Sequence, residues 1–415
     1  MQMDADRQSK AAVHLAMLIN MLSIGSLMMV MPLGPDFVRA LGMQASHVGY
    51  IAGGATLAAA LGAALTAAWL DRLDRKRTLV VLLALRFALL LSCALASDPK
   101  QLIVLFVLSG LVAGPMGAVL MAAMLDLIPP AERGRKLAYV AMGYSLAAIV
   151  VTPLALEVAA RGGWQAPFAL FGGAGLLLAL LCQPLFPRPP AHVHKTTRLW
   201  PLLRSPLCLG ALAIVALQMF GHFLLVPHFS NYFQFNLDFP RQHIGLLYLC
   251  GGLASLAAMH LGGVLIDRGS ARTVVLVSSG CLAAITLLGF ALPLGLSLYL
   301  VFTLFMALGA VRSSSTLTIA AAIPLPEQRA AFMALQGTVS NVAAGLGSLF
   351  SAAYLTSDAG RRLIGFNDLA WLYAGAGTVA GIGVLVLLRG IQTRAAAVAE
   401  ARTIKEGRTQ PAGES

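Results

Sequence analysis

Apolar runs of about twenty residues recur along the whole chain, parted by short charged or Gly/Pro-containing breaks, and they restrict the fold more than any other feature. A helix of that length crosses about 30 Å of hydrocarbon, and only helices or closed barrels satisfy every backbone hydrogen bond in lipid. The breaks predict twelve spans, near Ala11 to Leu33, His47 to Leu70, Thr78 to Ser97, Gln101 to Leu125, Lys136 to Ala159, Gln165 to Phe186, Leu207 to Asn231, His243 to Ile266, Thr273 to Pro293, Leu296 to Ala322, Ala330 to Tyr354 and Asn367 to Arg389. With 58% hydrophobic and 11% charged residues, and a mean hydropathy of +0.81, the chain has too few charges to cover a soluble surface. The expectation is an all-α membrane protein.

The placement of positive charge orients these spans. Of the 29 Lys and Arg residues, 21 fall in the termini and in the loops after even-numbered spans. Six (Arg39, Lys100, Arg161, Arg241, Arg361, Arg362) fall on the opposite side, and Arg86 and Arg312 lie within spans. The positive-inside bias then puts both termini in the cytoplasm, with the bundle in the inner (plasma) membrane. The net charge of +12 is spread through short loops without aromatic interleaving, which argues against nucleic acid and for anionic lipid headgroups as the partner of these loops. The first apolar run is longer than a signal-peptide core and continues into Pro32-Leu33-Gly34-Pro35, so it reads as a span. Cys93, Cys182, Cys208, Cys250 and Cys281 are scattered through apolar segments with neither zinc spacing nor a disulfide framework; buried thiols, no metal and no cofactor are expected.

The chain repeats itself. Asp71-Arg72-Leu73-Asp74-Arg75-Lys76-Arg77 follows the second span, and a shortened copy, Asp267-Arg268-Gly269-Ser270-Ala271-Arg272, follows the eighth, 196 residues later (267 − 71). Ile128-Pro129-Pro130-Ala131-Glu132-Arg133 is likewise matched by Ile323-Pro324-Leu325-Pro326-Glu327-Gln328-Arg329, offset by 195 (327 − 132). Between the copies lies the proline-rich, polar segment Pro187 to Ser205, whose His192 and His194 read as solvated rather than metal-binding. This divides the chain into a six-helix bundle at 1–186, a cytoplasmic linker at 187–205, a second bundle at 206–390 and a polar cytoplasmic tail at 391–415. Parallel repeats of this kind bind substrate near the bilayer midplane, between the halves.

On these features the chain resembles the major facilitator superfamily over all but its polar tails. The family cassette between spans two and three runs Gly-x-x-x-Asp-Arg-x-Gly-Arg-Lys; Asp71, Arg72, Arg75 and Lys76 match it, while Ala67 and Asp74 replace the glycines. In the second copy Gly263, Asp267 and Arg268 match, and Ala271 stands where a basic residue is preferred. The resemblance implies a twelve-helix fold of two parallel-repeat bundles and a conformational latch, in which Asp71 faces the start of the eleventh helix near Ala330 and Arg75 pairs with Asp126. A purely topogenic charge cluster is the alternative. The family's fifth-helix antiporter signature survives only as Thr152-Pro153 and Gly163-Trp164, and Phe106 replaces the fourth-helix arginine of many proton-coupled relatives.

Polar residues inside spans are the site candidates, because the bilayer makes them expensive. Insertion scales charge an arginine at a helix centre about 2.5 to 3.5 kcal/mol, so Arg312 in the tenth span is the leading candidate for binding substrate or coupling ions. Ser315, Thr316 and Ile319 share its helical stripe, which in the resembled family faces substrate. Asn20 and Ser23 share a face of the first helix, and Gln218 and His222 a face of the seventh; with Arg312 they form a candidate pocket. His222 reads either as a proton carrier or as a helix-contact histidine, and Arg312 either as a substrate group or as a structural one. His228 and His260 rank below His222, Arg86 reads as structural, and Glu157 and Asp36 as solvated span ends. Gly110, Gly114 and Gly117 on the fourth helix, with Gly337, Gly345 and Gly347 on the eleventh, suggest close helix packing.

No phosphate-binding loop, His-Glu-x-x-His or Gly-x-Ser-x-Gly pattern occurs, so an enzyme is not expected and an ion or substrate gradient must drive any cycle. The expectation is a monomeric inner-membrane transporter that exports a small drug or metabolite in exchange for protons. Proton-coupled uptake of an organic anion is the alternative within transport, and a non-transporting sensor or assembly factor the alternative outside it.

Overall fold

The computed structural model describes residues 2–70, 73–129, 132–188, 200–292, 295–325 and 328–408. Twelve spans are found among them. The first six are Gln2–Met28, Val48–Leu70, Arg75–Ser92, Pro99–Leu127, Arg133–Gly162 and Gln165–Leu185. The second six are Pro206–Leu225, Arg241–Leu265, Ala271–Thr286, Leu298–Ala321, Arg329–Tyr354 and Phe366–Arg408. The eighth and ninth follow each other with only a kinked turn between them, where Gly269 takes φ 85°, a conformation costly for any residue with a Cβ. The eleventh, rich in Ala, Gly and Ser, is defined by packing rather than hydropathy, because it lies against the second and seventh spans.

Polar residues set the helix ends. Asp74, which stands where the resembled cassette has glycine, caps the third span by accepting the Arg77 backbone N–H at 2.7 Å. Asp98 and Ser205 cap the fourth and seventh in the same way, and such caps contribute about 1 kcal/mol each. Arg133 donates to the carbonyls of Leu125 and Ile128, closing the end of the fourth span. Two elements depart from the sequence reading. The first span stops at Met28 instead of Leu33, and Gly34–Leu41 forms a separate short helix beyond it. The twelfth helix runs on through 391–408, and the histidines of the linker lie outside the described residues.

The internal repeat is visible in the packing. In the first half the second span packs on the fourth, the first on the fifth, the third on the sixth and the third on the fourth. Adding six to each number gives contacts that recur in the second half, where the seventh span also packs on the twelfth. Where the halves meet, the second span lies on the eleventh and the fifth on the eighth.

Those meeting lines are closed at one end only. The face carrying both termini is here the terminal face, and the other the distal face. Near the distal face Gly49 touches Ser348 and Ala352, and Gly53 and Leu57 touch Gly345. Towards the terminal face the same stripes continue through Ala64 and Ala67 on the second span and Asn341, Gly337 and Ala334 on the eleventh, and all five residues are exposed. Between the fifth and eighth spans, contact reaches Ala148 and Ile149 against Gly252, beyond which Ala141 and Tyr144 are exposed. The halves therefore diverge towards the terminal face.

The distal closure is largely polar. Ser348 donates to the Gly49 carbonyl (2.8 Å), Ser230 to the Pro32 carbonyl (2.8 Å) and Asn231 to the Ala45 carbonyl (2.5 Å), each bond joining the two halves. Ser351 spends its one proton on the Ser348 carbonyl, so it accepts at 2.9 Å from Nε2–H of His228, and this fixes the His228 tautomer. His228 is wholly buried here, although its place near a span end gave it a low rank. A dense aromatic cluster, Phe229, Phe233, Phe290, Phe302, Phe305 and Phe366, lies behind this closure within the second half.

Candidate functional site

Arg312 lies inside the second half, with 3% of its surface exposed. Its Nη2 donates to the Tyr373 hydroxyl of the twelfth span at 2.9 Å, and its guanidinium carbon sits 5.1 Å from the centre of the same ring. His222, on the seventh span, lies nearly parallel to Phe305 (ring centres 6.0 Å apart, planes 9° apart) and 6.4 Å from the Tyr373 ring, within electrostatic reach of Arg312. Gln218, one turn from His222, is 2% exposed. Thus Arg312 and His222 meet around the Tyr373 ring, with Gln218 buried one helical turn from His222.

Three of their nitrogens, Arg312 Nε, His222 Nδ1 and Gln218 Nε2, are buried without a hydrogen-bond partner. A buried polar group left unpaired costs roughly 1–3 kcal/mol, and the two such nitrogens beside the Tyr373 ring, on Arg312 and His222, suit an oxygen-bearing guest. The remaining candidates are satisfied within the fold. Thr316 donates to the Arg312 carbonyl and Ser315 to that of Val311, and their stripe is buried among helices instead of lining an open wall. Asn20 donates to the Val140 carbonyl of the fifth span at 3.0 Å.

Ser23 belongs to a second arginine cluster. Arg86, 5% exposed, donates to the Ser23 hydroxyl, to the Ser23 carbonyl at 2.7 Å and to the Ser26 hydroxyl at 3.0 Å, pinning the third span to the first. Among the described residues no hydrogen bond joins Asn20 or Ser23 to Arg312; both are engaged within the first half.

At the terminal face, Arg75 Nε lies 2.7 Å from Asp126 Oδ2, with both side chains largely buried. This pair ties the third span to the end of the fourth, within one half. Lys76 is half-buried beside it, and Asp71 and Arg72 lie outside the described residues. In the second copy Asp267 and Arg268 are exposed on the Gly269 turn. The repeat offsets put Ala271 and Ala321 where Arg75 and Asp126 would recur, so the second half carries no counterpart of the pair. Among the glycines, Gly110 and Gly114 let the fourth span touch the Ala55 and Ala59 carbonyls of the second, whereas Gly117 and Gly337 face open space.

Tyr373 is a site residue that the sequence does not single out. A tyrosine in an apolar span carries no periodic signal; the only clue is that a buried arginine without a nearby carboxylate must find an oxygen somewhere.

The sequence matches the Major Facilitator Superfamily over residues 14–348, and the chain belongs to that family. It is therefore a multi-pass membrane protein of a transporter family, not an enzyme, and its twelve-helix fold is the one the cassette implied. A probable sugar efflux transporter of Helicobacter pylori is 25% identical over 240 residues, 58% of this chain and 61% of that protein. A chloramphenicol efflux pump of Mycobacterium tuberculosis is 25% identical over 267 residues, 62% of this chain and 64% of that one. The chain thus spans less than two thirds of the length of these curated relatives. Among solved structures, a bacterial homologue of the human lysosomal transporter Spinster, in an inward-facing and occupied conformation, superposes with a TM-score of 0.73 at 16% identity, covering 91% of this chain and 96% of that one. A D-xylose–proton symporter gives 0.70 at 14%, covering 90% and 96%. At such identities the likeness establishes the fold.

Proposed function

We propose that this protein exports a small organic molecule across the inner membrane by alternating access, as a monomer, in exchange for protons and with its terminal face in the cytoplasm. The observation that carries the reading is the asymmetric meeting of the halves: closed by hydrogen bonds at the distal face, splayed at the terminal face. Two rigid bundles that touch at one end only are poised to rock about a central site. The excess of positive charge in the loops of the terminal face supports its cytoplasmic placement. Relatives named for sugar and chloramphenicol efflux supply the direction and the first substrates to try.

Arg312 is the substrate or coupling group in this reading, with His222 and Gln218 beside it and Tyr373 holding its guanidinium. Asn20 and Ser23 act by joining the first span to the fifth and third, and Thr316 by bonding the Arg312 carbonyl within its own helix. Asp71, Arg72 and Lys76, with Asp267 and Arg268 in the second copy, act as the latch that steadies one conformation of the terminal face, and the Arg75–Asp126 pair within the first half holds the helix ends that carry it.

Arg312 also favours a second reading, uptake of an organic anion with protons, since its described partners supply a hydroxyl and a ring but no carboxylate. One experiment separates the two. Flux of labelled sugars, chloramphenicol and simple carboxylates is followed in proteoliposomes under an imposed pH gradient, for wild type and Arg312→Ala. Export of a neutral solute that needs the gradient and is lost in the variant supports the first reading; carboxylate accumulation supports the second. Flux indifferent to Arg312→Ala removes this residue from the site, and no flux of any solute favours a non-transporting sensor.

A further inference from the structure

We infer that Asp36 and Arg241 form a gate at the distal face, a charge clamp that holds this conformation and must part once in every transport cycle. Asp36 lies in the connection after the first span and Arg241 is the first residue of the eighth, and sequence alone reads Asp36 as a solvated end. The structure instead puts it on the short helix Gly34–Leu41, facing the start of the eighth span across the line between the halves. Arg241 Nε and Nη2 donate to the two carboxylate oxygens at 2.7 and 2.8 Å, a two-pronged bond between residues 205 positions apart. Their side chains are 26% and 16% exposed, so the pair is partly withdrawn from water, where charge-assisted bonds are worth most.

The clamp is embedded in a wider network. Arg39, one turn along from Asp36 and 3.9 Å from it, donates at 2.8 Å to Gln234 of the second half and sits 5.3 Å from the Phe235 ring. Burial lowers the pKa of Arg39, and the Asp36 charge acts in the opposite direction. Gln234 in turn donates to Ser230, whose hydroxyl bonds the Pro32 carbonyl of the first half. Three successive bonds thus fasten the connection after the first span to the segment after the seventh.

This differs from the terminal-face cassette in what it joins. Arg75 and Asp126 belong to the same half, so their bond survives a rocking motion. Asp36 and Arg241 belong to opposite halves, so theirs does not survive opening of the distal face. The inference rests on the alternating-access reading above, but its test needs no substrate.

In a background with the five native cysteines replaced, single cysteines are placed at Ala352, buried in the distal closure, and at Asn341, exposed towards the terminal face. The rate at which a hydrophilic thiol reagent labels each is measured in purified protein. Asp36→Asn or Arg241→Gln is expected to speed labelling at position 352 on the order of tenfold and to slow it at position 341, because opening one face closes the other. The exchanged pair, Asp36→Arg with Arg241→Asp, is expected to restore both rates. Unchanged rates overturn the gate. So does faster labelling at 352 without protection at 341, which would mean that the pair merely steadies its loops. If Asp36→Asn gives no folded protein, Arg241→Lys, which keeps the charge but loses the second prong, is read in the same two ways. Labelling that responds in a protein showing no flux would retain the gate and remove the proposed function.

Discussion

Each half of the molecule buries one arginine among its helices, and the two are held in different ways. Arg86 in the first half reaches three oxygens on two neighbouring serines, all on one helix, so its charge is spread over dipoles that do not depend on the other half. Arg312 in the second half reaches one hydroxyl and one ring face, and beside that ring the Nδ1 of His222 is buried without a hydrogen-bond partner. Both are buried, at 5% and 3% exposure, and they differ in what each guanidinium bonds. The Nε of each is buried without a partner, so the difference lies in the outer nitrogens: three serine oxygens make Arg86 a fastener, whereas the single hydroxyl on Arg312 leaves its guanidinium able to take an oxygen from a guest.

This contrast can be broken in order of expected effect. Arg312→Ala should lower flux by about 100-fold while leaving the thermal unfolding midpoint in detergent unchanged or raised, because removing an under-compensated buried charge relieves strain. A clear fall in the midpoint would make Arg312 a fastener too. Arg86→Ala should do the reverse, destabilising the fold by about 2–4 kcal/mol while the protein that remains folded transports within about threefold of wild type. Selective loss of flux there would put Arg86 in the transport path. Tyr373→Phe removes one hydroxyl acceptor and keeps the ring, so a drop in flux of about fivefold, worth about 1 kcal/mol, is expected; no change would show that the ring face alone positions Arg312. Ser26→Ala deletes one of the three bonds to Arg86 and should cost about 0.5–1 kcal/mol with no effect on flux.

The spans are legible because lipid imposes one simple demand, length of apolar helix, and the repeat because its charged cassettes must sit in water at fixed intervals. What the sequence misplaces lies where that demand ends. Pro32 to Pro35 reads as the close of an apolar run, yet the chain leaves the first span at Met28 and builds a short helix whose residues meet the other half. Gln218 and His222 stand out through i, i+4 spacing and Arg312 through its cost. Tyr373, Asp36 and Arg241 do not, since their partners lie 61 and 205 positions away and nothing local marks the pairing. His228 ranks low in the sequence for lying near a span end, which is where two moving bundles close.

The closure built from Ser230, Asn231, His228, Ser348 and Ser351 has a consequence for the medium in which the protein works. The bonds of Ser230, Asn231 and Ser348 across it can be exchanged for bonds to water, so parting the halves there hydrates polar groups along with the smaller apolar contacts of Leu57 and Ala352. The equilibrium between the two faces then carries a term in water activity. Osmolytes excluded from the protein surface should favour the sealed distal face, and dilute media its opening.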